Sequence, residues 1–155
     1  MSLAEFDVAG QKVLLVGAGR GIGKGIALAF AEAGADVAIT SLSEATVGKV
    51  AEEVRAMGRT ALPVTGDATK SADMDRIASQ VLAEFGHIDT LINCVGDAIR
   101  KPVAKLPGTT EEGMTEEEWN HVVNINLTGA FQGCRAIGPH MLERRQGSVI
   151  NISGW

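Results

Sequence analysis

Apolar positions along this chain follow two alternating rhythms. Short, mostly apolar runs at Lys12–Val16, Asp36–Thr40, Thr60–Val64, Ile88–Val95 and Ser148–Ile152 read as strands of a buried sheet. Between them, apolar residues recur every three or four positions, the period of a helix with one packed face. Ile22, Ile26, Ala29 and Ala33 mark a first helix, which Gly34 ends. Val47, Val50, Val54 and Met57 mark a second, over Ser43–Met57, stopping at Gly58. Met74, Ile77, Val81 and Phe85 mark a third from Ser71, whose hydroxyl is expected to cap it. Trp119, Val122, Val123, Asn126, Ala130 and Cys134 follow one face of the longest helix, opened by a capping box of Thr115 and Glu118. Strands alternating with helices predict an α/β fold around a parallel sheet. Pro63 cannot donate to a ladder and puts the third strand at an edge. That agrees with a doubly wound sheet of order 3-2-1-4-5 with helices on both faces.

The stretch KVLLVGAGRGIGKGIALAF, Lys12 to Phe30, joins the first strand to the first helix through glycines at 17, 19, 21, 23 and 25. Strand, glycine turn and helix bring backbone N–H groups against a phosphate at a helix N-terminus. Glycine is needed because the chain turns sharply and a Cβ would hold a pyrophosphate away. GxGxxG fails from Gly17 and from Gly19, where Ile22 and Lys24 take its last position; GxxxGxG fits, as Gly17, Gly21 and Gly23. This pattern resembles TGxxxGxG, the fingerprint of the short-chain dehydrogenase/reductase family, with Val16 in place of Thr.

The resemblance implies an NAD(P)-binding Rossmann domain over residues 1–155, with Gly17, Gly19, Arg20, Gly21, Ile22 and Gly23 along the cofactor. A dinucleotide fold reads the adenosine ribose just past the second strand, where a carboxylate selects NAD. Here that position is Ser41, no acid occurs before Glu44, and Arg20 places a cation in the glycine loop. NADP is therefore expected over NAD; a solvated loop charge is the plainer account of Arg20. Asp67 and Ala68 follow the third strand. The resemblance implies an adenine contact there, and an Asx turn opening the next helix is the alternative. Asn93-Cys94-Val95-Gly96 is similar to the family's NNAG, which sets Asn93, Val95 and Gly96 beside the cofactor and leaves Cys94 as buried filler. Residues 97–115 lose all periodicity; they read as a substrate-side loop or as a mobile surface insertion.

EEWNHVVNINLTGAF resembles the segment that carries the asparagine of the family's catalytic tetrad, which maps to Asn126. A proton-relay role and a plain buried Asn capping a strand both stay open for it. SVINISGW resembles the family's IVNISS, whose second serine is catalytic; Gly154 holds that position, so Ser153 either serves after a one-residue shift or only caps the strand end. The family moves a hydride between nicotinamide C4 and an alcohol or carbonyl carbon, with a Tyr-x-x-x-Lys pair as acid/base after the fifth strand. This sequence contains no tyrosine. By resemblance it is the N-terminal part of an NADP-dependent oxidoreductase, incomplete at its C-terminus and inactive alone. The enzyme would act on a small alcohol or ketone and assemble as a homodimer or homotetramer. Two alternatives stand beside it: a non-catalytic dinucleotide-binding or regulatory module complete at Trp155, and a Rossmann domain for another nucleotide, which Asn126 does not predict.

Composition narrows the picture without redirecting it. At 155 residues, 45% hydrophobic and 21% charged, the chain has the size and make-up of one globular domain. A net charge of −5 offers no electrostatic invitation to nucleic acid or anionic membrane. Charges and glycines interrupt every apolar run, and no basic, apolar leader opens the chain, so a cytoplasmic location is expected. Cys94 and Cys134 form neither a disulfide framework nor a zinc pattern. His87, His121 and His140 lack metal-ligand spacing and are expected as surface or loop residues, so no metal site is expected.

Overall fold

Five strands and their crossovers set up the sheet before any side chain of the site is placed. The structure is a computed structural model that describes residues 7–105 and 107–153. In chain order the elements are β1 (Lys12–Val16), α1 (Gly21–Glu32), β2 (Asp36–Ser41), α2 (Glu44–Ala56), β3 (Ala61–Thr65), α3 (Ser71–Phe85) and β4 (Thr90–Asn93). Then come α4 (Glu116–Val123), a π-helical turn (Asn124–Thr128), α5 (Gly129–Arg144) and β5 (Ser148–Asn151). All pairings are parallel, and the order is β3-β2-β1-β4-β5. Pro63 lies on the edge strand β3, opposite Ile39.

Strand alternation sends successive side chains into two cores. Val13, Leu15, Val37 and Ile39 pack with Ala27 and Ala31 of α1 and with Val47, Val50 and Val54 of α2. Leu14, Val16 and Ala38 pack on the other side with Met74, Ile77 and Val81 of α3 and with Ile137 and Met141 of α5. Burial on both faces is why these strands read as apolar runs rather than as alternating ones.

Several helix expectations need correction. Against the sheet α1 presents Gly23, Ala27 and Ala31, while Ile22 is 70% exposed. The glycine turn brings the helix so near its strand that only small side chains fit between them. Met57 is the C-cap of α2 and is exposed, and Ala51 completes the buried face instead. Ser71 is the first residue of α3, not its cap; the cap position is Lys70, without a side-chain bond. The long helix is two helices about a π-turn, and none of the residues of α4 is buried. An inserted residue turns the following helix by about a quarter turn or more. The buried stripe of α5 is therefore Gly129, Gly133, Ile137 and Met141, not the series through Ala130 and Cys134. The capping box of Thr115 and Glu118 is present as expected.

At the amino end of the sheet, Asp36 accepts hydrogen bonds from Lys12 Nζ (2.5 Å), Arg59 Nη2 (2.8 Å) and the Thr60 N–H (2.9 Å). Burial pushes this carboxyl up, but the bonds from Lys12 and Thr60 and the charges of Lys12 and Arg59 outweigh it and hold the group below the usual carboxylate range. A lowered folded-state pKa adds stability at neutral pH that is lost as the pH falls through the acid range. The denaturation midpoint is expected to drop between about pH 5 and 3, and less steeply in Asp36→Asn. Parallel pH profiles for the two proteins would remove Asp36 from the account. His87, in the loop before β4 as expected, and His140, in α5 rather than in a loop, also belong to this end. Both are half-buried: His87 lies 3.2 Å from Asp89, and His140 Nε2 accepts the Ile88 N–H at 3.3 Å.

Candidate functional site

Everything at the carboxyl end of the sheet is arranged around the loop from Val16 to Gly21. The N–H groups of Gly17 and Ala18 bond the Thr40 carbonyl at 3.1 and 2.9 Å, which fastens the loop across the ends of β1 and β2. Gly17 has φ +88°, and a Cβ there would stand 2.6 Å from Val95 Cγ2 and 2.8 Å from the Val95 nitrogen. Gly23 lets α1 lie on the loop, since its Cβ would meet the Gly17 carbonyl at 2.4 Å. Gly21 differs in kind: at φ +56° the place of its Cβ is open space, with no atom within 4 Å. The first turn of α1 carries no acidic residue, and its cap residue Arg20 makes no side-chain bond to it. The N–H groups of that turn lack intrahelical partners, and the helix dipole leaves positive potential among them. An open cradle beside such a turn fits a pyrophosphate, and Gly17 to Gly23 are the residues that would hold it.

Beside the loop, hydroxyl groups stand where an NAD-selecting fold carries an acid. A Cβ on Gly19 would come within 2.7 Å of Thr46 Oγ1 and 2.9 Å of Ser41 Oγ. Ser41 Oγ lies 2.8 Å from Thr46 Oγ1 and accepts the Ser43 N–H at 3.2 Å. Past β3, Asp67 Oδ1 accepts from the Thr69 N–H (2.9 Å) and hydroxyl (2.7 Å), and its own N–H donates to Asp73 Oδ2 at 2.8 Å. An Asx turn is therefore present at Asp67, and Ala68 beside it is buried.

Asn93 closes the base of the site. It is 3% exposed, its Nδ2 donates to Asn151 Oδ1 at 2.8 Å across to β5, and its Oδ1 faces Gly133 without a hydrogen-bond partner among the described residues. Cys94 follows, half-buried, its thiol pushed up by burial. Val95 packs under Gly17 and against Gly129, which joins the loop to the start of α5.

Asn126 sits in the π-turn and is exposed, a departure from the expected buried amide on an apolar face. Its Nδ2 donates to the Asp97 carbonyl at 2.7 Å and to the Val122 carbonyl at 2.9 Å, while its Oδ1 lies over Gly96. Both amide hydrogens are used, which fixes the side chain and leaves an oxygen free to accept. Ser153 follows β5 and is exposed; Gly154 lies outside the described residues. The 97–115 segment is fastened to α4, since Lys101 Nζ donates to both oxygens of Glu118 at 2.9 Å. Sequence reading missed Asp97, His121, Gly133 and Asn151. The available signal for Asp97 was its position directly after Gly96, at the end of a central strand where open α/β sheets bind ligands.

Comparison with known proteins bears on the family and on the fold. A family profile described as short chain dehydrogenase matches residues 11–154. A 2-dehydro-3-deoxy-D-gluconate 5-dehydrogenase of Pseudoalteromonas atlantica is 38% identical over 149 residues, covering 96% of this chain and 56% of that protein. A metagenomic short-chain oxidoreductase in complex with NADP superposes with a TM-score of 0.84 at 30% identity, covering 96% of this chain and 64% of that one. An NAD+-bound xylitol dehydrogenase also gives 0.84, at 29% identity, covering 94% and 53%. The chain thus spans about half the length of the curated relatives it matches.

Proposed function

The chain belongs to the short-chain dehydrogenase family, and we propose that it supplies the cofactor-binding portion of an NADP-preferring oxidoreductase acting on a small alcohol or carbonyl compound. The observation that carries this reading is the open cradle at Gly21, set at an acid-free helix N-terminus and flanked by Ser41 instead of a carboxylate. Bound nicotinamide would supply the hydride chemistry. Gly17, Gly19, Gly21, Ile22 and Gly23 would receive the pyrophosphate, Arg20 and Ser41 the 2′-phosphate, and Asp67 and Ala68 the adenine. Asn93, Val95 and Gly96 would line the nicotinamide side. Asn126 would present its free oxygen to a proton-relay water, and Ser153 would orient the substrate. The relative named for 2-dehydro-3-deoxy-D-gluconate supports a polyhydroxylated small molecule as substrate. A homodimeric or homotetrameric assembly in the cytoplasm belongs to the same proposal.

Calorimetric titration of the chain with NADPH and NADH tests it. NADPH is expected to bind about tenfold tighter or more, since a charge-assisted bond to phosphate contributes about 1.5–3 kcal/mol. Arg20→Ala is expected to erase that difference. Equal affinities in the unsubstituted chain, or no loss on Arg20→Ala, would overturn the 2′-phosphate assignment. A non-catalytic dinucleotide-binding module is the other reading that this portion of the fold allows. A Tyr-x-x-x-Lys pair encoded downstream of Trp155 would decide for the enzyme.

A further inference from the structure

Asp97 is held from two directions by one helical run. Its carboxylate Oδ2 lies 3.1 Å from His121 Nε2 on α4, and its main-chain carbonyl accepts Asn126 Nδ2 at 2.7 Å from the π-turn. The other carboxylate oxygen accepts the Ala98 N–H at 2.9 Å, which sets the side chain of Asp97 toward α4. Asn126 in turn has no amide hydrogen to spare, so the position of the Asp97 carbonyl decides where Asn126 Oδ1 points above Gly96.

We propose that His121 and Asp97 form a proton-dependent clasp, in which His121 is a positioning residue for Asn126. The inference rests on the reading of Asn126 as a site residue. When His121 carries a proton, its bond to Asp97 is between full charges and holds the segment leaving β4 against the π-turn. When that proton leaves, the clasp loses its ionic part. Asp97 is then tied to the helical run by the Asn126 bond to its carbonyl and a weaker, neutral hydrogen bond from His121. The hydrogen bond from His121, with the Ala98 N–H and the charges of His121 and Arg20, keeps the Asp97 carboxyl below its usual range, so Asp97 remains the anionic partner throughout. Other charged groups nearby are Arg20 of the glycine loop, Glu117 one turn before His121 on α4, and the Glu118–Lys101 pair. His121 and Asp97 are 53% and 55% exposed, so the pair adds little to global stability and acts on direction instead.

The test is a ¹⁵N–¹H titration of the whole chain from pH 5 to 8, following the Asn126 side-chain amide, assigned through Asn126→Ala. The amide signals are expected to shift with the same midpoint as the His121 ring protons. That shift is expected to disappear in His121→Gln and in Asp97→Asn, with the spectrum of the sheet unchanged. An Asn126 amide that ignores the titration of His121, or that still titrates in both variants, overturns the clasp. Side-chain amide exchange at Asn126, expected to be slower at pH 5.5 than in His121→Gln at the same pH, gives a second reading if either variant loses structure. None of these readouts needs cofactor or turnover. A chain that bound no dinucleotide would defeat the proposed function and leave the clasp standing.

Discussion

Gly17→Ala is expected to abolish dinucleotide binding and to destabilise the chain by about 2–5 kcal/mol, the sum of a left-handed backbone penalty and an overpacked contact. At φ +88° an L side chain is strained wherever it points. Here it would also point into protein: the new methyl would lie 2.6 Å from Val95 Cγ2 and 2.8 Å from the Val95 nitrogen. Backbone cannot yield as a flexible side chain can. Relief must come from moving either the exit of β4 or the loop itself, and the loop carries the N–H groups proposed to receive the pyrophosphate. Gly25→Ala is the matched control. It lies inside α1 with nothing within 4 Å of its Cβ position, so the helix should gain about 1 kcal/mol while affinity stays the same. Urea denaturation and NADPH calorimetry on the two variants would decide. Normal binding in Gly17→Ala, or lost binding in Gly25→Ala, would mean that the loop is not the phosphate cradle.

That pair of glycines also shows what the sequence could and could not disclose. Five glycines at alternate positions look equivalent on the page, yet only the spacing of Gly17, Gly21 and Gly23 matched a phosphate loop. The structure separates them by cause: close approach at Gly17, Gly19 and Gly23, a left-handed backbone in open space at Gly21, and neither constraint at Gly25. Sheet order was legible because Pro63 and the apolar runs carry it in single residues and local periods. The faces of α1 and of the helical run from Glu116 to Arg144 were not. At α1 a bulky Ile22 imitates a core residue, while the true contact is made by Gly23, Ala27 and Ala31, whose smallness is the signal. In the long helical run the inserted residue of the π-turn leaves no mark in composition, because it depends on Asn126 bonding two carbonyls, one of them from a distant loop. The role of His121 was hidden for the same reason. Its partner lies 24 positions away and meets it only when the 97–115 segment folds back on α4.

Gly133→Ala should reveal a coupling between a helix glycine and a buried strand amide. In most helix interiors the substitution stabilises by about 1 kcal/mol. Here the new Cβ would fall 2.1 Å from Asn93 Oδ1, the buried oxygen that has no hydrogen-bond partner among the described residues. Asn93 must then rotate or retreat, and its Nδ2 bond to Asn151 Oδ1 across β4 and β5 goes with it. Overpacking of about 1–3 kcal/mol and a lost buried bond of similar size outweigh the helix gain, for a net loss of about 2 kcal/mol. In an Asn93→Ala background the obstructing amide is gone, and the same substitution should turn stabilising by up to about 1 kcal/mol. A double-mutant cycle in urea therefore predicts a change of sign and an interaction energy near the upper end of the usual range of about 0.5–3 kcal/mol. If Gly133→Ala costs the same in both backgrounds, the clash lies with the strand backbone and not with Asn93. The amide would then not be what keeps this helix position bare.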